Sequence, residues 1–211
     1  MKLHSIRSEY KYAVLSEKSV EKNPFKQFDH WLNDALNAKV IEPTAMSLST
    51  LGLEGFPDSR IVLLKDFGEN GFTFFTNYNG NKGKSIEKNP AVGLHFFWPE
   101  LERQIRISGF AEKTSDDISD KYFYSRPVFS QIAAVVSNQS SKIPSRESLQ
   151  NDFDILKEKS ANAVIKRPAN WGGFVVSPVK FEFWQGRESR LHDRILYEKL
   201  EADWAVSRLA P

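Results

Sequence analysis

The stretch from Lys180 to Tyr197, KFEFWQGRESRLHDRILY, constrains what this chain can fold into more than any other. Successive side chains of a strand point to opposite sides, so Val179, Phe181 and Phe183 fall on one face and Lys180, Glu182 and Trp184 on the other. An apolar face of that period has to be covered by a core. The run Gln185-Gly186-Arg187-Glu188-Ser189 carries turn chemistry, which predicts a β-hairpin. On the returning strand Arg190, His192 and Arg194 are expected to share one face, with neighbours about 6.5 to 7 Å apart. Two guanidiniums and an imidazole on one wall repel one another unless something anionic or electron-rich stands before them. A solvated strand face accommodates the same pattern. Trp184 beside it favours a site, because a planar ligand can use an indole and a solvated face has no need of one.

The rest of the chain supplies partners for that hairpin. Ala45 to Leu51, Ser59 to Lys65, Gly71 to Asn77 and Ala91 to Trp98 read as strands separated by Gly, Pro, Asn or Asp, and Leu101 to Glu112 alternates again. A last short strand is expected from Trp204 to Leu209. Asn23-Pro24 is a helix start, followed by Phe25, Phe28, Trp31, Leu32, Ala35 and Leu36 as a core stripe at helical spacing. Thr114 to Arg126 opens as a capping box, Thr114 to Asp117, and places Tyr122 and Arg126 on one helical face, with Ser130 beyond the break at Pro127. Pro144 to Ser160 is a charged amphipathic helix with Leu149, Phe153 and Leu156 inward. Residues 1–20 show no clear period and read as a mobile arm carrying Arg7 and Tyr10. With no repeat or linker, the chain is expected to be one α+β domain built on an antiparallel barrel.

Composition removes several chemistries. The chain has no cysteine, which excludes disulfides and thiolate catalysis, and its four histidines lack metal-ligand spacing. No GxSxG, GxxxxGK[ST] or GxGxxG is present. A net charge of +2 does not point to nucleic acid. No apolar run approaches the roughly 20 residues of a membrane span, and MKLHSIRSEY lacks the apolar segment of a signal peptide, so a cytoplasmic protein is expected. What remains is a surplus of anion binders among aromatic residues: Arg60, Lys65, Lys82, Lys84, Arg126, Arg190, His192 and Arg194. In NYNGNKGKSIEKNP a glycine- and lysine-rich turn enters a short helix, which is either a phosphate cradle or a flexible charged loop.

Seven strings carry a resemblance. RIVLLK (60–65), FFTN (74–77), ERQIRISG (102–109), YFYSRPVFSQI (122–132), NQSS (138–141), RPANWGGF (167–174) and EFWQGRESRLHDR (182–194) resemble the pyridoxamine 5′-phosphate oxidase family. The likeness runs from about Arg7 to the terminal RLAP. It implies an FMN-binding antiparallel split β-barrel with peripheral helices, working as a homodimer whose sites are shared between subunits. It also implies oxidation of pyridoxamine or pyridoxine 5′-phosphate to pyridoxal 5′-phosphate, with molecular oxygen as acceptor and hydrogen peroxide as by-product. Carried over by position, the FMN contacts would involve Arg60, Ile61, Val62, Leu63, Leu64, Lys65, Phe75, Thr76, Lys82, Gln104, Gln139, Ser140, Trp184 and Arg194. Substrate phosphate would meet Lys65, Tyr122, Arg126 and Ser130. Arg190 and His192 would face the substrate ring as the catalytic pair, and Arg7 to Tyr10 would cover it; no metal is implied.

The residues themselves raise one conflict with that assignment. Arg60 and Lys65 have odd spacing, so a regular strand points them to opposite faces unless Lys65 lies past the strand's end or a bulge intervenes. The chain also departs from the family pattern, with Asn81 at a position that is commonly basic and Phe75 where tyrosine is common. Ala133 and Val136 stand where Gly and Trp are frequent. Two other readings stay open: a split-barrel flavoprotein of different specificity, such as a flavin reductase-like or heme-utilisation protein, and a module that binds FMN or pyridoxal phosphate without turnover.

Overall fold

The structure is a computed structural model and describes residues 13–160 and 163–211. The long strand β7 (Trp171–Gln185) organises it, because β7 is long enough to take two partners in succession on one edge. Its first half pairs with β4 (Gly71–Asn77) and its second with β8 (Asp193–Lys199), while its other edge runs along β6 (Arg103–Lys113). Beyond β6 come β5 (Ala91–Trp98), β1 (Ala45–Leu51) and β2 (Pro57–Leu63). A short β3 (Asp66–Gly68) flanks β4, and β9 (Trp204–Arg208) flanks β8. Every pairing is antiparallel, and β2 comes back into contact with β4, so the sheet curls into the half-barrel of an α+β split barrel.

The alternation read from the hairpin holds on the core face for Phe181 and Phe183, both 0% exposed, but not for Val179, which is 38% exposed. Ser108 opposes Lys180 and Gly109 opposes Pro178, leaving Val179 as the extra residue of a β-bulge. Pro178 has no N–H for the ladder, and a bulge is one of the places a sheet tolerates it. Gly109 is required opposite it, since a Cβ there would stand 2.4 Å from the Ser177 carbonyl oxygen.

Helix α1 (Pro24–Asn37) closes the barrel. Asn23 caps it by accepting from the Phe25 N–H at 2.8 Å, and Phe28, Trp31, Leu32 and Ala35 turn inward. Leu36, expected on that stripe, is 51% exposed. Phe28 is fully buried, with the rings of Phe67, Phe72 and Phe96 at 4.9, 4.9 and 5.1 Å. The N-terminal segment is fastened from Leu15 onward: its N–H donates to Asp193 Oδ2 at 3.0 Å, and Arg208 holds both carboxylate oxygens of Glu17. Of the expected arm, residues 1–12, Arg7 and Tyr10 among them, lie outside the described residues.

The remaining helices are α2 (Asn81–Lys88), α3 (Asp116–Ser125), α4 (Val128–Val136) and α5 (Arg146–Lys159). Ser115 rather than Thr114 caps α3, accepting from the Ile118 N–H, while the Thr114 hydroxyl is turned to Ser119 and the Gly173 carbonyl. No side chain of α5 is fully buried. Phe153 and Leu156 only lean on a small second cluster of Phe123, Ile132, Ile165 and Trp171. Among the described residues no helix is long and apolar enough to cross a membrane.

Candidate active site

The end of β2 settles the conflict between Arg60 and Lys65. β2 stops at Leu63; the Leu64 N–H then donates to the Thr44 carbonyl at 2.9 Å and the Lys65 N–H to the Thr73 carbonyl at 2.8 Å. The chain thus crosses from the β1 side to the β4 side between these residues. Arg60 and Lys65 line the same cavity as a result, of about 510 Å³, together with Ile61, Val62, Leu63, Phe75, Thr76, Lys82, Tyr122, Arg126, Gln139 and Trp171. Leu64, expected among the cofactor contacts, is only 4% exposed; it packs in the core and does not line the cavity.

The polar groups of the cavity are held from behind. Arg60 donates to Thr50 Oγ1 at 2.9 Å and to the Leu48 carbonyl at 3.3 Å and pairs with Asp58. Gln139 Oε1 accepts from Lys82 Nζ at 2.7 Å and from Thr76 Oγ1 at 3.2 Å, which joins α2, β4 and the loop after α4. Burial, and the nearby Arg60 charge, push the Lys82 ammonium below its ordinary pKa. Ser140 sits one residue outside the cavity, its backbone at φ 70, and its hydroxyl accepts from the Asn81 N–H at the start of α2.

The opposite wall is aromatic. Tyr122 stacks on Phe75 with centroids 3.9 Å apart and lies nearly parallel to Trp171 at 6.2 Å. Arg126 lays its guanidinium over Trp171 at 4.7 Å. Its Nη1 is buried and makes no hydrogen bond among the described residues, and burial lowers its pKa. Leaving a buried donor unsatisfied costs about 1 to 3 kcal/mol, more for a charged one, so this geometry suits an incoming anion. Ser130 stands in the first turn of α4, where its N–H donates to the Pro127 carbonyl, and does not reach the cavity wall. Trp171 has no role in the sequence reading, where it stands only within the string RPANWGGF. An aromatic residue directly before two glycines, where backbones approach closely, is the signal that marks it.

A second group gathers elsewhere on the sheet. Gln104, Trp184 and Arg194 are register neighbours across β6, β7 and β8, and none of them lines the cavity. Gln104 Oε1 meets His95 Nε2 at 3.1 Å, and the His192 ring lies 4.7 Å from that of Trp184. Arg194 donates to Glu182 Oε1 at 2.9 Å and to the Ala210 carbonyl at 2.8 Å.

The expected strand face of Arg190, His192 and Arg194 does not form. Gln185 pairs with Asp193, so the loop spans residues 186–192 and only Arg194 belongs to a strand. Gln185 stays in β7 because its buried side chain donates to the Leu101 carbonyl and accepts from Arg103 Nε. Ser189 and Arg190 take positive φ values of 56 and 61, which ends the two-residue period. The loop is ordered instead by the Arg187 N–H, which donates to His192 Nδ1 at 3.1 Å, and by Arg187 Nη1, which donates to Asp193 Oδ2 at 3.0 Å. Burial and then the Arg190 charge hold the His192 pKa below its ordinary 6.5.

Residues 32–158 match the family model described as pyridoxamine 5′-phosphate oxidase, and residues 171–211 match the pyridoxine 5′-phosphate oxidase C-terminal dimerisation region. The chain belongs to the pyridoxamine 5′-phosphate oxidase family. A pyridoxine/pyridoxamine 5′-phosphate oxidase of Trichormus variabilis is 52% identical over 98% of this chain and 97% of its own length. One of Haemophilus ducreyi is 51% identical over the whole of both chains. Among solved structures, PhzG from Burkholderia lata, in complex with tetrahydrophenazine-1-carboxylic acid, is 28% identical. Its TM-score is 0.88, and the match covers 94% of this chain and 98% of that one. A pyridoxamine 5′-phosphate oxidase-related protein from Nostoc punctiforme, at 18% identity and a TM-score of 0.73 over 91% of this chain and 100% of that one, shares the fold. The C-terminal match, described as a dimerisation region, contains Trp184, His192 and Arg194, while Gln104 falls in the first match.

Proposed function

We propose that this chain is an FMN-dependent oxidase that converts pyridoxamine and pyridoxine 5′-phosphate to pyridoxal 5′-phosphate, with molecular oxygen as acceptor and hydrogen peroxide as by-product. The observation that carries the reading is Arg126: its Nη1 is buried and has no hydrogen-bond partner among the described residues, and its guanidinium stacks on Trp171 in a cavity that also holds Lys65 and Tyr122. That set suits the phosphate of a small aromatic substrate. Lys82, beside the start of α2, together with Arg60, Thr76 and Gln139, suits a second phosphate, that of the cofactor. The residues present therefore fit FMN.

Bound there, FMN supplies the two-electron acceptor that oxygen regenerates. The chain's own residues bind and orient. Lys65, Tyr122 and Arg126 hold the substrate's phosphate, and the Phe75–Tyr122–Trp171 stack shields that end from water. His192 accepts the Arg187 N–H at Nδ1, so its neutral form carries the proton on Nε2 and acts as a donor. Its lowered pKa keeps that form dominant at neutral pH. Because the two groups of site residues lie apart on one chain, we infer a homodimer in which the face bearing Trp184, His192 and Arg194 of one subunit completes the cavity of the other.

An aerobic assay of purified protein with FMN and pyridoxamine 5′-phosphate, following aldehyde and peroxide, tests the reading. Equal production of both is expected, and their absence overturns it. The likeness to PhzG favours a second reading, oxidation of a reduced, carboxylated ring system. Phosphate-free pyridoxamine and a dihydroaromatic carboxylic acid in the same assay separate the two.

A further inference from the structure

The motif RPANWGGF contributes Trp171 to the cavity, and its first residue has a separate role. We propose that Arg167 is a positioning residue: its guanidinium fastens α3 to the start of β7 and so sets where Tyr122 and Arg126 stand relative to Lys65. The inference rests on reading Tyr122 and Arg126 as the phosphate end of the site.

The Arg167 side chain is only 9% exposed. Nε donates to Asp120 Oδ1 at 2.5 Å, Nη2 to Asp116 Oδ1 at 2.6 Å and Nη1 to the Trp171 carbonyl at 2.6 Å. Asp116 and Asp120 are one helical turn apart and present their carboxylates on the same face of α3. A planar fork with fixed donor directions can hold two carboxylates and a carbonyl at once, which a lysine ammonium cannot do in that geometry. The approach it fixes is close. A Cβ on Gly172 would lie 2.2 Å from the Tyr78 hydroxyl and 2.8 Å from Ser119 Oγ, and the Gly173 N–H donates to Ser119 Oγ at 3.2 Å.

What rides on this contact is the far end of α3. Phe123 is fully buried, edge-on to Trp171 at 5.2 Å; Tyr122 lies parallel to Trp171, and Arg126 follows as the C-cap. Among the described residues no carboxylate pairs with the Arg126 guanidinium, which lies against the ring faces of Trp171 and Phe123. A shift of α3 along β7 therefore moves Arg126 directly. Asp116 and Asp120 are 88% and 46% exposed, so water can solvate both carboxylates once Arg167 is gone, and the consequence is in placement more than in folding.

The test uses full-length FMN-loaded protein carrying Arg167→Ala, Arg167→Lys or Asp120→Asn, with Arg126→Ala as comparator. A misplacement of about 1 Å can cost as much as a hundredfold, and a partial shift should raise the KM for pyridoxamine 5′-phosphate about tenfold in Arg167→Ala. The value of kcat should change far less, and the FMN dissociation constant, read by flavin fluorescence, should stay within about twofold, since Arg60, Lys82 and Gln139 lie off α3. Arg167→Lys should resemble the alanine variant, because it keeps the charge and loses the fork. Hydrogen exchange should quicken in residues 116–126 and not in β2. Unchanged KM in a folded Arg167→Ala overturns the inference, as does loss of FMN in step with substrate. If Arg167→Ala does not fold, Asp120→Asn decides: a raised KM supports the inference and an unchanged one refutes it. If Arg126→Ala leaves KM unchanged, the phosphate reading fails and this inference falls with it. If Arg126→Ala raises KM and the Arg167 variants do not, only the role of Arg167 is lost.

Discussion

Replacing Arg126 with alanine separates what this side chain does for the ligand from what it does for the fold. In the ligand-free cavity the guanidinium gains its stacking on Trp171, worth roughly 0.5 to 2 kcal/mol for a cation over an aromatic face. Against this stands the unsatisfied, buried Nη1, at about 1 to 3 kcal/mol. The two nearly offset each other, so Arg126→Ala should leave the melting temperature of the substrate-free protein within a few degrees. On the proposed reading the donor meets a phosphate oxygen in the complex, and a charge-assisted hydrogen bond contributes about 1.5 to 3 kcal/mol, or ten- to over a hundredfold in affinity. The KM for pyridoxamine 5′-phosphate should therefore rise by at least an order of magnitude while the FMN dissociation constant barely moves. Steady-state kinetics, a flavin fluorescence titration and a thermal melt on the same preparation provide the check. A variant that melts much lower yet keeps its KM would show Arg126 to be a packing residue. One that loses FMN instead of substrate would assign the cation to the other phosphate.

Asn81→Arg should tighten FMN several-fold at low salt, because a charged contact exceeds a neutral one by on the order of 1 kcal/mol; equal affinities by titration at low ionic strength would remove the cofactor phosphate from the start of α2. Phe28→Ala should cost about 3 to 5 kcal/mol by urea denaturation, since its ring is fully buried among Phe67, Phe72 and Phe96; a loss below about 1 kcal/mol would mean that α1 does not plug the barrel. The hydrogen bonds from Arg208 hold the Glu17 pKa at about 2, against an ordinary 4.5. A depressed carboxylate contributes stability that is present above the unfolded value and is lost as pH falls through the folded one, so Glu17→Gln should flatten the stability profile between about pH 4.5 and 2, and an unaltered acid limb would refute the pairing. Arg190→Ala should lower kcat/KM with little change in melting temperature, because Arg190 is exposed on a loop; loss of folding instead would make it structural.

Much of this protein was determined by local chemistry that a sequence displays. The two-residue period of Phe181 and Phe183, the cap and proline at Asn23-Pro24 and the stripe through Phe28 and Ala35 depend on neighbours within a few positions, and each is legible before any partner is known. The strings around Arg60, Tyr122 and His192 likewise carried the family. What the tertiary structure alone decided lies where a residue's role depends on a distant contact. Arg190 and His192 left the expected strand face because buried Gln185, held by Leu101 and Arg103 far away in the chain, keeps β7 running to its own position. Val179 left the core because its neighbour Pro178 stands opposite Gly109 at a bulge, and a register slip leaves no local signature. Arg60 and Lys65 share a wall because the chain crosses between strands at Leu64, which no periodicity encodes. The separation of Gln104, Trp184 and Arg194 from the cavity is of the same kind: strand order places them on other strands of the sheet, and only pairing between distant segments establishes strand order.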